Sequence, residues 1–173
     1  MTGPKVELEF CGVEKRPTFE NLFQLYVHDF TELWHGLPRG ELGEDGLWPA
    51  YDDWDSYWTQ ADRTPMLIRA DGHVAGFALV NTFAHSGLPT DYSIAEFFVA
   101  RKHRRSGVGQ TAALAVIGAR PGQWDIAVSR RNVGAQHFWR RIAALAADGG
   151  PVDELDRDDD LWNGLIFRFR APG

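Results

Sequence analysis

Asp71-Gly72 separates two apolar runs, PMLIRA (65–70) and HVAGFALV (73–80). A two-residue Asp-Gly link forms a turn whose twist matches that of the strands it joins, so it commits the middle of the chain to an antiparallel hairpin. Whatever else the chain forms has to extend that hairpin or pack on it.

Upstream, Val6, Leu8 and Phe10 alternate with Lys5, Glu7 and Glu9, which predicts a half-buried strand over residues 4–11. From Thr18 the period changes. Phe19, Leu22, Phe23, Tyr26, Val27 and Phe30 recur at three- and four-residue spacing, which predicts a helix with Thr18 as its N-cap. Residues 36–46 read as a loop, and 50–61 as a short helix carrying Trp54, Tyr57 and Trp58.

Downstream, YSIAEFFV (92–99) reads as a strand, RKHRRSGVG as a turn, and 108–119 as an Ala-rich helix stopped by Pro121-Gly122. A short strand follows over 124–128. A helix over 133–146 then starts at Asn132 and keeps Ala135, Phe138, Trp139, Ile142 and Leu145 in register. DELDRDDD (153–160) reads as an acidic loop, and LIFRFR (165–170) as a closing strand.

With 173 residues, 44% of them hydrophobic, the chain has material for one sizeable core, so a single domain over 1–173 is expected. The formal net charge of −6 speaks against binding along a nucleic-acid backbone and favours cationic or amine-bearing partners. Cys11 stands alone and cannot close an internal disulfide. No run approaches the roughly 18 to 20 apolar residues of a membrane span, and MTGPKVELEF lacks a signal-peptide core, so no membrane partner and a cytoplasmic location are expected. No metal site is read from the sequence.

The chemistry concentrates in RRSGVG, Arg104 to Gly109. Gly107 and Gly109 let the main chain bend so that its N–H groups converge beside a helix start, a concavity that attracts anions. Taken alone the stretch is equally an ordinary flexible turn. A P-loop requires G-x-x-x-x-G-K-[ST] and a dinucleotide fold G-x-G-x-x-G; the Lys and the third Gly are missing here.

What stands is R-x-x-G-x-G (Arg104, Gly107, Gly109) after a strand ending in FFV. About two dozen residues later comes N-x-x-A-x-x-F-W (Asn132, Ala135, Phe138, Trp139). Together these resemble the acyl-CoA signature of the GNAT N-acetyltransferase superfamily, whose turn reads [QR]-x-x-G-x-[GA]. The match is detailed over roughly residues 65–146 and only an outline elsewhere.

The resemblance implies an α+β fold, with a central, mostly antiparallel twisted sheet flanked by helices, and acetyl-CoA as cosubstrate. Main-chain N–H groups of Arg105, Ser106, Gly107, Val108 and Gly109 would receive the diphosphate. Arg104 and Arg105 would add charge, and Gln110 and Thr111 would extend the helix-start donors. The preceding strand would carry a bulge and splay from its neighbour, exposing main-chain groups at Phe97 and Val99 to the pantetheine arm and the thioester carbonyl.

Direct attack by a neutral amine needs a proton acceptor, and Glu96 is the candidate base, expected by strand alternation on one face with Ile94 and Phe98. The other reading makes Glu96 an edge residue or an arginine's partner. Trp139 stands where relatives carry a tyrosine that protonates the leaving thiolate; either another group (Tyr92, His85 or His103) serves, or the thiol's low pKa makes an acid unnecessary. Asn132 reads as a helix cap, with or without a contact to the cofactor.

Trp34, Trp48, Trp54 and Trp58, with Asp52, Asp53 and Asp55, form either an aromatic and acidic wall for an amine cation or core and solvated surface. Asp158 to Asp160 fall under the same alternative. The implied function is N-acetyl transfer to a small-molecule or protein amine; the alternative is a catalytically degenerate module that binds acyl-CoA as a regulator. Homodimers are frequent in the superfamily.

Overall fold

The computed structural model describes residues 3–173. Seven strands form one sheet: β1 (Val6–Phe10), β2 (Thr64–Ala70), β3 (His73–Asn81), β4 (Tyr92–Val99), β5 (Gly122–Ser129), β6 (Val152–Asp158) and β7 (Asn163–Ala171). Their spatial order is β1-β2-β3-β4-β5-β7-β6, antiparallel except between β4 and β5. The helices are α1 (Arg16–Thr31), α2 (Ser56–Thr59), α3 (Val108–Gly118) and α4 (Val133–Ala146). This is the mixed α/β architecture that the turn motifs imply.

The hairpin forms as its Asp-Gly link demands. Asp71 and Gly72 both take left-handed φ, 49° and 79°, as a twist-matched two-residue turn requires. Alternation along the strands then sorts side chains into two layers. On one face Phe19, Phe23 and Val27 of α1 and Trp54 and Tyr57 pack on Leu67, Phe77, Leu79 and Phe98. On the other, α3 and α4 bury Val116, Ile117, Trp139 and Ile142 against Ala78, Val80, Ile126, Phe167 and Phe169.

Three expectations about the elements fail. The helix read over 50–61 is only the single turn of α2, with turns before it. The helix α1 begins at Arg16 with Pro17 in its first turn, so Thr18 lies inside it and caps nothing. Proline's fixed φ and missing N–H suit that first turn, which moves the start upstream of the polar residue. DELDRDDD is mostly strand: Val152–Asp158 pairs with β7 along its length. Its acids point outward on an edge, where Arg140 holds Glu154 at 2.6 Å and Arg130 holds Asp156 at 2.6 Å. Charge on an edge strand discourages pairing with another chain, and with Val152 and Leu155 its only apolar residues, three apart, this strand shows no period-two pattern.

Candidate active site

The β4 and β5 ladders meet only at Tyr92–Trp124 and Ser93–Asp125. Beyond that the strands part, and a cleft of about 730 Å³ opens between Ala95–Phe97 on one side and Ile126–Ser129 on the other. The Ala100 N–H donates to the Ala75 carbonyl at 2.7 Å, which turns Ala100 towards β3. Main-chain groups alternate sides along a strand, so Phe97 and Val99 direct theirs into the gap. The Val99 carbonyl is taken by Arg104 Nε at 2.6 Å. The Phe97 groups are left facing the cleft, and the Val99 N–H lies on the same side of β4.

A β-bulge decides where Glu96 points. Glu96 pairs with Leu79 and Ile94 with Val80, so Ala95 is an extra residue on β4. Strict alternation would keep Glu96 with Ile94; instead Ile94 packs with Val80 in the α3/α4 layer, and Glu96 shares the α1 face with Leu79 and Phe98. The α1 helix meets it there, and the Tyr26 hydroxyl donates to Glu96 Oε2. Burial pushes the Glu96 carboxyl up to about 7, against the lowering effect of the Tyr26 hydrogen bond. The same burial, with the Glu96 charge adding to it, raises the Tyr26 phenol well above its ordinary value.

The RRSGVG turn runs from a 3-10 turn (Arg101–His103) into α3. Gly107 takes φ 90° and Arg105 φ 62°. A Cβ on Gly107 would meet nothing within 4 Å, so glycine serves there for its dihedral rather than for space. The main-chain N–H groups from Arg105 to Gln110 have no acceptor among the described residues; Thr111 is the next, donating to Gly107 O at 3.0 Å. Six successive donors at a helix start with no capping side chain fit a diphosphate. The family model for the acetyltransferase (GNAT) family matches residues 19–143.

The chain belongs to that family. No curated protein sequence matches it. Among solved structures, an acetyltransferase from Thermus thermophilus superposes with a TM-score of 0.67 at 16% identity, over 99% of this chain and 100% of that one. The aminoglycoside acetyltransferase AAC(6')-Ib, in complex with coenzyme A, gives 0.62 at 12% identity, over 96% and 95%. The PaiA N-acetyltransferase from Thermoplasma acidophilum, also with coenzyme A, gives 0.54 at 12% identity, over 96% and 99%. These likenesses establish the fold.

In this GNAT acetyltransferase Arg104 is committed inward: it pairs with Asp29 of α1 and lies over the Phe98 ring at 5.6 Å. Burial alone would raise the Asp29 carboxyl, but Arg104 and Arg101 hold it below its usual range. Arg105 is exposed and has no ion-pair partner among the described residues. Ser106 Oγ donates to the His103 carbonyl at 2.8 Å. Asn132 caps α4, its Oδ1 accepting from the Ala135 N–H at 3.0 Å, and it also lines the cleft.

Trp139 is buried edge-on against Phe97 at 5.2 Å, on the cleft wall. Tyr92 packs on Trp124 where the strands still pair, and His103 lies in the 3-10 turn before RRSGVG, so neither lines the cleft. His85 does line it, its ring tilted against Trp162 at 4.3 Å. Trp54 and Trp58 pack in the α1 core and Trp48 against it, while Trp34 reaches the cleft. Asp52 and Asp55 are exposed, Asp55 on Arg16, and Asp53 pairs with Arg63.

Sequence reasoning missed Tyr26 and Trp162, while Asp159 and Asp160 were among the acids it offered for an acidic wall. Tyr26 sits in the apolar stripe of α1, and only its hydroxyl distinguishes it from core. Asp159, Asp160 and Trp162 line the cleft opposite α1 because β6 exists to carry them there. Among the described residues no helix is long and apolar enough to cross a membrane, and no His, Cys, Asp and Glu cluster could hold a metal.

Proposed function

We propose that this protein is an acetyl-CoA-dependent N-acetyltransferase that acetylates a primary amine of a small molecule or a protein. The observation that carries the reading is the Glu96 carboxyl, held by the Tyr26 hydroxyl on the wall of the cleft that opens where β4 and β5 part. Two of its structural neighbours are solved with coenzyme A, which supports the choice of donor.

Acetyl-CoA supplies an activated thioester when bound. The N–H groups from Arg105 to Gln110, with the Arg105 guanidinium and the α3 dipole, suit its diphosphate. The main-chain groups of Phe97 and the Val99 N–H suit the pantetheine arm, and an N–H aimed at the thioester oxygen stabilises charge developing there. Asn132 contributes by holding the start of α4 against the cleft.

Glu96 accepts the amine's proton, directly or through a water. As the C–N bond forms the C–S bond breaks, the electron pair leaves with sulfur, and the proton ends on the carboxylate. A carboxyl poised near neutrality is a better acceptor than an ordinary one while still largely ionised at pH 8. With an indole at Trp139, the thiolate departs without a side-chain acid.

Thiol release from acetyl-CoA over a panel of amines tests this. Release should require an amine and fall about 100-fold or more in Glu96→Gln. Tight acetyl-CoA binding by calorimetry with no turnover on any amine would overturn the enzyme reading in favour of a binding module.

A further inference from the structure

A second cavity, about 260 Å³, adjoins the cleft, and Glu96 lines both. Its wall carries three carboxylates, Asp53, Glu96 and Asp125, with Arg63 and Asn81. Two of the carboxylates are already matched. Asp53 is held by Arg63. Asp125, 2% exposed, accepts at one oxygen from Arg168 at 3.0 Å and from Ser86 at 2.5 Å, which matches its charge, while its other oxygen is buried without a hydrogen-bond partner and closed to solvent. Charge in the pocket is therefore balanced apart from Glu96.

Asn81 is different. It is 9% exposed, and its Oδ1 accepts from the Phe83 N–H at 3.1 Å, which fixes the oxygen end of the amide. Its Nδ2 donors have no acceptor among the described residues. Asn81 lines the cavity, so its free Nδ2 is open to whatever acceptor occupies that space. The bulge at Ala95 brings Asn81 and Glu96 onto one sheet face: Asn81 pairs with Ser93, and Leu79, two residues back, pairs with Glu96. Diagonal neighbours of this kind lie about 7 to 8 Å apart, close enough for one short molecule to touch both side chains.

We infer that the acceptor amine carries a neutral hydrogen-bond-accepting oxygen, a hydroxyl or an amide carbonyl, a few bonds from its nitrogen, and that Asn81 Nδ2 donates to it while Glu96 receives the amine. This rests on the acetyltransferase reading. A carboxylate on the acceptor finds no unmatched cation in the pocket, and a second ammonium meets the donor end of Asn81.

The test is kcat/KM for ethylamine, ethanolamine, ethylenediamine and the free amino acid glycine, with wild type and Asn81→Asp. Ethanolamine should lead the other three by about tenfold, the worth of one well-placed hydrogen bond. In Asn81→Asp an acceptor replaces the donor, and ethylenediamine should overtake ethanolamine. Should that variant melt early, Asn81→Ala serves, with the ethanolamine preference lost and not reversed. Turnover of the amines without preference, or a preference unmoved by either variant, overturns this assignment and leaves the enzyme standing. Failure of every amine despite acetyl-CoA binding overturns both.

Discussion

Glu96 holds opposing demands in one side chain. Its carboxyl titrates near 7 in the folded chain, against an ordinary value of 4.5. Between those values the folded state binds the extra proton, so Glu96 makes stability fall as pH rises through the window, and the whole penalty is present above pH 7. Glu96→Gln should therefore be more stable than wild type at pH 8, by on the order of 3 kcal/mol, and the two should converge below pH 4.5, as urea unfolding at several pH values will read. Activity runs the other way: kcat/KM should rise with pH through about 7 as the base ionises, and that limb should vanish in the variant. Tyr26 donates to the carboxylate and so lowers its pKa. Tyr26→Phe should shift the acidic limb to higher pH, a displacement that a purely structural role would not produce.

At the scale of elements, α1 supports both halves of the site. Tyr26 and Asp29, one helical turn apart, hold Glu96 and Arg104. Asp29→Asn should loosen the RRSGVG turn and raise the KM for acetyl-CoA several-fold with a smaller change in kcat. Gly76 marks the tightest approach in the β3–β4 pair: a Cβ there would lie 1.9 Å from the Phe98 carbonyl oxygen. Gly76→Ala should cost about 3 kcal/mol in a denaturant melt, because backbone and not a movable side chain must yield. Most elements were legible because their periods are clean, from the Asp71-Gly72 hairpin to the α4 face. Others were not. Pro17 set the start of α1 where a polar cap was expected, and outward acids disguised β6. Both obey local rules that compete with the more obvious signal.

Across the whole molecule, the sheet is two antiparallel halves joined at two residue pairs and then parted. A ligand that binds both lips ties the halves together, so acetyl-CoA at 100 times its Kd should add about 2.7 kcal/mol to stability. Hydrogen exchange should slow most at Phe97, Val99 and the amides from Arg105 to Gln110. The turn and the α4 motif could be read from spacing because both are local. The acceptor side could not: Tyr26, Asn81 and Trp162 come from three distant segments and meet only through the topology. Ala95 shows how finely that meeting is set. Along a strand, which side a residue faces is a matter of parity, odd or even, and one uncounted residue changes it. Were Ala95 to take a regular place in the ladder instead of bulging, every reactive side chain would remain in the chain, yet Glu96 would turn towards α3 and α4, away from Tyr26 and Asn81; deleting Ala95 removes the bulge and leaves Glu96 opposite Leu79 on the α1 face. The chemistry of this site is therefore encoded partly in an irregularity of the ladder, in the one residue that β4 leaves unpaired as much as in the residues that react.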